Sequence, residues 1–408
     1  MKTVFAIVAV LCAVFVATAA NDTEVPHKLS RLGREASAPL NVPELMRSIS
    51  GKGIETVSDW EKIRAPELMA LFEKEMFGRR PVAAEDPHRI SFKVYDVCDS
   101  LGGKATRKLV RVTYKGRKGD FSFPVTVYIP KRAKHPVPAF VTILLVKATE
   151  KDNFGALSSP RWPVEDIVSR GYATAAFFIS DVAADKKNAG FSQGIFDAVQ
   201  KESNRGAESW ATLSAWAWAA SRVLDWMGTE MLIDAKRVAV VGHSRGGKAA
   251  IWAGVTDKRF AMVCSNDSGC SGAKLNHIAL PKSESIERIL KNFPYWFCGN
   301  YRKYAGKEMQ MPFDQHELLA LVAPRLLCVA SATEDFWAGP PGEWWSAKLA
   351  SPVWELYDKK GLEANHIPRA DMPQQEGFIS YHLRTGKHTL APYDWMCYMD
   401  FADRHGWR

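Results

Sequence analysis

The sequence predicts an α/β fold: a mostly parallel central sheet with helices on both faces and insertions on the carboxyl-end side of its strands. Beyond residue 136, short apolar runs alternate with helical stretches. The runs are continuous rather than alternating, the mark of strands buried on both faces. Neither an internal repeat nor a linker interrupts them. They are Val137 to Val146, Tyr172 to Ile179, Arg237 to Val241, Met262 to Ser265, Arg325 to Ala330 and Gly377 to Leu383, and Glu208 to Met227 is a clear helical stretch between two of them.

Composition agrees with a globular chain. Of 408 residues 47% are hydrophobic and 24% charged, which excludes disordered, collagenous and low-complexity classes. With 54 Lys and Arg against 45 Asp and Glu the net charge is +9. The excess is spread along the chain, so no nucleic-acid tail is indicated, though weak attraction to an anionic polymer is compatible with it. The 14 Trp suit a large core, and carbohydrate-handling proteins also use Trp to stack on sugar faces.

Taken in order, residues 1–20 read as a signal peptide: Lys2, an apolar run from Val4 to Val16, then small residues before Asn21. The run is too short to span a membrane, and no later segment is long enough, so the expectation is an exported chain, periplasmic or secreted, without a membrane span. Large Leu11 before Cys12 argues against lipid anchoring. Residues 21–80 read as a leader followed by a helical segment, and 81–408 as the catalytic domain. Ser58-Asp59-Trp60-Glu61 has the capping-box pattern, and Pro66 suits the first turn of a second helix running to Gly78. Ile90, Phe92 and Val94 then alternate with polar residues, and with Leu109 to Tyr114 and Phe123 to Ile129 they predict an antiparallel edge. The stretches 180–207 and 268–322 are the insertions, placed where such sheets hold their sites. Outside the signal, Cys98, Cys264, Cys270, Cys298, Cys328 and Cys397 show no zinc-like pairing and read mainly as buried free thiols.

Chemistry enters at Arg237-Val238-Ala239-Val240-Val241-Gly242-His243-Ser244-Arg245-Gly246-Gly247. This is G-x-S-x-G between a strand and a helix, the setting in which a turn too tight for side chains exposes a nucleophilic serine in an α/β-hydrolase. Ser244 then sits at the positive end of a helix dipole, where an oxyanion is favoured. The hydroxyl needs a base, and the base an orienting carboxylate, in the chain order Ser, acid, His. His388, after the last strand and before the closing helix, is the preferred base over His382 within the strand and His405 near the chain's end. Two acids remain open: Asp335, after the strand Arg325 to Ala330, and Asp267, one strand earlier.

Val240 to Lys248, Asn266-Asp267-Ser268-Gly269-Cys270-Ser271-Gly272, Pro312-Phe313-Asp314-Gln315-His316-Glu317-Leu318 and Tyr381 to His388 together resemble the bacterial glucuronoyl esterases, carbohydrate esterase family 15. The resemblance runs from about Trp60 to the end. It implies a cofactor-free, metal-free monomeric α/β-hydrolase cleaving esters between 4-O-methyl-glucuronic acid of glucuronoxylan and lignin alcohols. It implies that Ser244 is the nucleophile and His388 the base, that Arg245 stabilises the oxyanion, and that Lys248, Glu284 and Trp337 bind the sugar. Two departures stand out: the family most often has glutamate where this chain has Asp267, and the stretch from Ala279 to Ser283 is about two residues longer than usual. Other readings are an acetylxylan esterase or other polysaccharide deacetylase, a weakly active sugar-binding module on a hydrolase fold, and metal-dependent hydrolysis using His382 and His388. The last lacks an HExxH or acidic cluster.

Overall fold

The computed structural model describes residues 41–145 and 159–408. The expected signal peptide, the leader up to residue 40 and Val146 lie outside the described residues. Among those described, the strands are β1 (Ile90–Ser100), β2 (Ala105–Tyr114), β3 (Phe121–Pro130), β4 (Val137–Leu144), β5 (Ala173–Phe178), β6 (Ile233–His243), β7 (Met262–Asn266), β8 (Leu326–Ala332) and β9 (Ile379–Arg384). They form one sheet in the order β1-β2-β3-β5-β4-β6-β7-β8-β9. The first three are antiparallel, β3 joins β5 antiparallel, and the remaining neighbours are parallel. The expected α/β-hydrolase architecture and its antiparallel edge are both present.

Strand residues divide between two cores with period two. Val238 and Val240 face a core shared with the helices Thr212–Met227, Arg245–Thr256 and Pro340–Ala350. Ala239 and Val241 face another, built with Trp162, Trp395 and Tyr398. The same division holds for Val263 against Met262 and Cys264, and for Leu327 and Val329 against Leu326, Cys328 and Ala330. Each of these side chains is withdrawn from water, worth about 1.5–3 kcal/mol for a full Val or Leu, which is why both faces of β6, β7 and β8 read as unbroken apolar runs. Cys264 and Cys328 are register partners on β7 and β8, and the six cysteines outside the signal are free thiols.

The first helical segment corrects the sequence reading. Thr56, not Ser58, is the N-cap, its hydroxyl accepting from the Asp59 N–H. Pro66 does not begin a separate helix. Val57–Asp59, Trp60–Arg64, Ala65–Phe72 and Glu73–Phe77 follow without a break, the second and fourth as π turns. The Ala65 N–H reaches the Trp60 carbonyl, and this widened turn carries the chain past a proline that cannot donate. Gly78, at φ 79°, ends the run as expected. The insertions follow β5 and β7 and lie on the carboxyl-end side. The motif Pro312 to Leu318 pins the second of them. Asp314 caps the helix Gln315–Ala320 and accepts from the Asn276 and His277 N–H groups, while Glu317 meets Arg64 at 2.5 Å.

Candidate active site

The carboxyl ends of β6, β7, β8 and β9 deliver Ser244, Asp267, Asp335 and His388 in turn. Ser244 has φ 56° and ψ −123°, a conformation costing about 1–3 kcal/mol that persists because its surroundings fix it. Its N–H donates to the Asn266 carbonyl at 2.8 Å, and its own carbonyl accepts from Gly247 and Lys248. A Cβ on Gly242 would lie 2.0 Å from the Gly246 carbonyl oxygen, so this glycine is a steric requirement of the turn. The serine is partly exposed at the start of the helix Arg245–Thr256.

His388 Nδ1 is 2.5 Å from Asp335 Oδ2. Asp335 is 4% exposed, and its Oδ1 accepts from the Ala338 N–H at 3.2 Å. With Nδ1 committed to the carboxylate, Nε2 is left as the basic nitrogen. The His388 ring lies 4.4 Å from that of His243, the residue before Ser244, so His388 sits beside the turn that carries Ser244. His243 is buried and donates through Nδ1 to Asn266 Oδ1 at 2.7 Å. Burial, reinforced by neighbouring His388, pulls its pKa down to about 3, so it packs as a neutral ring.

The alternatives separate clearly. His382 is fully buried, bound through Nε2 to Asp394 at 2.8 Å, and His405 bonds the Gly377 carbonyl. Asp267 comes within 4.8 Å of both Asp335 and His388, yet neither of its carboxyl oxygens has a hydrogen-bond partner among the described residues. Burial, then the charges of Glu343, Asp335 and Asp394, push its pKa well above the carboxylate range, with Arg384 opposing at 3.9 Å. Geometry therefore joins Asp335 to His388 and leaves Asp267 beside the pair.

Three supporting residues escaped the sequence reading. Arg384 donates to the Thr385, Lys387 and Thr389 carbonyls, wrapping the turn that carries His388, and is anchored on buried Asp394. Glu343, also buried, accepts from the Gly269 N–H at 2.8 Å and the Ser331 hydroxyl at 2.5 Å, tying the loop after β7 to the end of β8. Burial raises its pKa to about 7. Asp185, in the first insertion, accepts from Arg245 at 2.5 Å and from the Tyr295 hydroxyl and Trp296 Nε1. The Arg245 guanidinium rests on Trp296 and Phe293, 4.6 and 4.8 Å from the ring centroids, and its buried Nε has no partner among the described residues.

Of the expected sugar contacts, Trp337 is the exposed tryptophan, 39% accessible, with Arg288 over its ring at 4.6 Å. Its carbonyl accepts from the Glu284 N–H at 2.9 Å, so these two are neighbours. Lys248 is 3% exposed and donates to the Ser268 carbonyl at 2.5 Å; burial lowers its pKa, and Glu284 is the largest opposing charge. Arg245 and Lys248 lie in the first turns of the helix that starts at Ser244, and Glu284, whose charge acts on Lys248, is tied through its backbone to Trp337.

The family model for fungal glucuronyl esterases matches residues 110–358. A carbohydrate esterase, MZ0003, from an unknown prokaryotic organism is 34% identical over 91% of both chains. The solved glucuronoyl esterase of Solibacter usitatus superposes with a TM-score of 0.81 at 35% identity, covering 90% of this chain and 98% of its own. A family 15 glucuronoyl esterase from Teredinibacter turnerae gives 0.80 at 30% identity, covering 90% and 89%. A hydrolase fold with this arrangement at its strand ends, matched over nine-tenths of its length, places the chain in the glucuronoyl esterase family, carbohydrate esterase family 15.

Proposed function

We propose that the chain is an exported serine esterase that cleaves the ester between (4-O-methyl-)glucuronic acid of glucuronoxylan and lignin alcohols through an acyl-enzyme. The observation that carries the mechanism is the 2.5 Å contact between His388 and Asp335 beside the strained turn of Ser244. Ser244 Oγ attacks the uronoyl carbonyl while His388 Nε2 takes its proton, and Asp335 stabilises the imidazolium that forms. The tetrahedral oxyanion develops at the amino end of the helix Arg245–Thr256, where backbone N–H groups and the Arg245 guanidinium can receive it. Asp185 and the two aromatic rings hold that guanidinium in place, so little reorganisation accompanies charge development. The alcohol leaves with the His388 proton, and water activated by the same base releases the uronate.

Lys248, Glu284 and Trp337 are assigned to the acyl-side sugar. Trp337 offers an apolar face and the two charged groups offer hydroxyl partners. The test is covalent trapping. Mass spectrometry of the His388→Ala variant incubated with benzyl glucuronate is expected to show a glucuronoyl adduct on the peptide containing Ser244, absent in Ser244→Ala. An adduct elsewhere, or full turnover by Ser244→Ala, refutes the assignment. Among the described residues no helix is long and apolar enough to cross a membrane, which is compatible with export.

A further inference from the structure

A cavity of about 620 Å³ lies at the pole of the sheet opposite Ser244, within the roughly 300–1,000 Å³ of ordinary ligand sites. It opens where β4 begins and where the chain enters β5. Arg237 on β6 lines it, seven residues before Ser244, which is about 23 Å along a strand. It therefore shares nothing with the catalytic centre.

Its lining has two components. Lys104, Arg132, Lys134, Arg237 and Arg408 bring positive charge, and no acidic side chain lines it. Two of these cations are already engaged, Lys104 with Glu165 at 2.6 Å and Arg237 with Asp234 at 2.7 Å. The Arg408 guanidinium donates to the Arg170 carbonyl. Arg132 and Lys134 are exposed, and their side chains have no hydrogen-bond or ion-pair partner among the described residues. The other component is apolar, with Pro130, Pro136, Val137, Pro138 and Trp407 forming the wall. Unpaired cations set against a proline-rich apolar wall match a ligand that carries carboxylates and also presents C–H faces. A uronic-acid ring does both; inorganic phosphate has no face for the wall.

We propose that this groove is a second binding site, for a carboxylate-bearing polysaccharide chain. The choice of a uronate polymer rests on the proposed function above; the charge and shape of the groove do not. At about 23 Å through the sheet from the nucleophile, the groove engages a neighbouring chain or a distant stretch of the same one. It raises the local concentration of polymer without touching the scissile ester.

The test uses the full chain with the double substitution Arg132→Glu and Lys134→Glu, both at exposed positions far from the catalytic residues. Retention on soluble polyglucuronate is measured by affinity electrophoresis, with neutral xylan and single-stranded DNA as comparison probes, and kcat/KM is measured on benzyl glucuronate. The expected result is polyglucuronate binding at least fivefold weaker, salt-sensitive binding by the parent chain, and kcat/KM within twofold of the parent. Unchanged retention overturns the proposal. So does equal retention on neutral xylan, or DNA binding as tight as polyglucuronate binding, which marks an unselective polyanion patch. Absence of benzyl glucuronate hydrolysis in the parent chain would instead count against the esterase reading, so the two failures are distinguishable.

Discussion

Replacing each candidate acid by its amide separates the two carboxylates at the site. Asp335→Asn removes the charge from a buried 2.5 Å contact with His388 and lets the amide dictate which ring nitrogen carries the proton. Loss of the imidazolium partner and of the correct tautomer in triads of this kind costs about 10⁴-fold in kcat, or roughly 5 kcal/mol of transition-state stabilisation. Asp267→Asn exchanges a carboxyl group already pushed towards its neutral form, and without hydrogen bonds, for a neutral amide of the same shape. It also removes a potential like charge beside Glu343 and Asp335. The expected change in kcat is less than about tenfold, under ~1.4 kcal/mol, with unfolding free energy unchanged or raised. Steady-state kinetics on benzyl glucuronate at neutral pH, with circular dichroism to confirm folding, provides the comparison. A hundredfold loss in Asp267→Asn with a mild effect in Asp335→Asn would falsify the assignment of the orienting acid.

Other expectations concern the frame around the proposed triad. Arg384→Ala breaks a buried pair with Asp394 and releases three carbonyls of the His388 turn; it should lose about 3–5 kcal/mol of stability. Below its melting temperature it should lose kcat with KM nearly constant, and Arg384→Lys should restore part of both; kcat equal to the parent's in a folded Arg384→Ala refutes this role. Gly242→Ala places a methyl group 2.0 Å from the Gly246 carbonyl oxygen and should yield little soluble protein, whereas normal expression and melting would contradict the steric account. Trp337→Ala should raise KM for glucuronate esters about two- to twelvefold with kcat held within threefold, as loss of one aromatic stacking contact of about 0.5–1.5 kcal/mol requires. For His243 the folded pKa of about 3 lies below the ordinary 6.5, so its contribution is intact above pH 6.5 and is lost as pH falls towards 3. Urea titrations between pH 6.5 and 4 should show unfolding free energy falling by up to about 1.4 kcal/mol per pH unit from this site, a component missing in His243→Gln.

The sheet was legible because burial on both faces leaves an unmistakable signature. Val238 to Val241 alternate between two cores, so every position of the run is apolar. The placement of Ser244 and His388 at strand ends was legible for a related reason: a tight glycine turn and a strand end constrain where these residues sit. The choice between Asp267 and Asp335 was not, since both follow strands and both are buried. Only the path of the loop after β8, which brings Oδ2 of Asp335 onto Nδ1 of His388, separates them. Asp185 and Trp296 lie 60 and 51 positions from Arg245, and no local pattern links an insertion to a cation that far away. Arg384 sits four residues before His388, but its role depends on backbone carbonyls, which leave no trace in side-chain chemistry. The misplaced cap followed from a similar limit. Thr56 and Ser58 both offer hydroxyls, and backbone geometry alone selects the first.

The central claim, a serine esterase with the uronate on the acyl side, is tested most directly by one rate comparison with the purified protein: kcat/KM on benzyl glucuronate against kcat/KM for acetyl release from acetylated xylan. The account predicts a preference of at least a hundredfold for the glucuronate ester, lost in Ser244→Ala. Equal rates, or preference for the acetyl substrate, would contradict it.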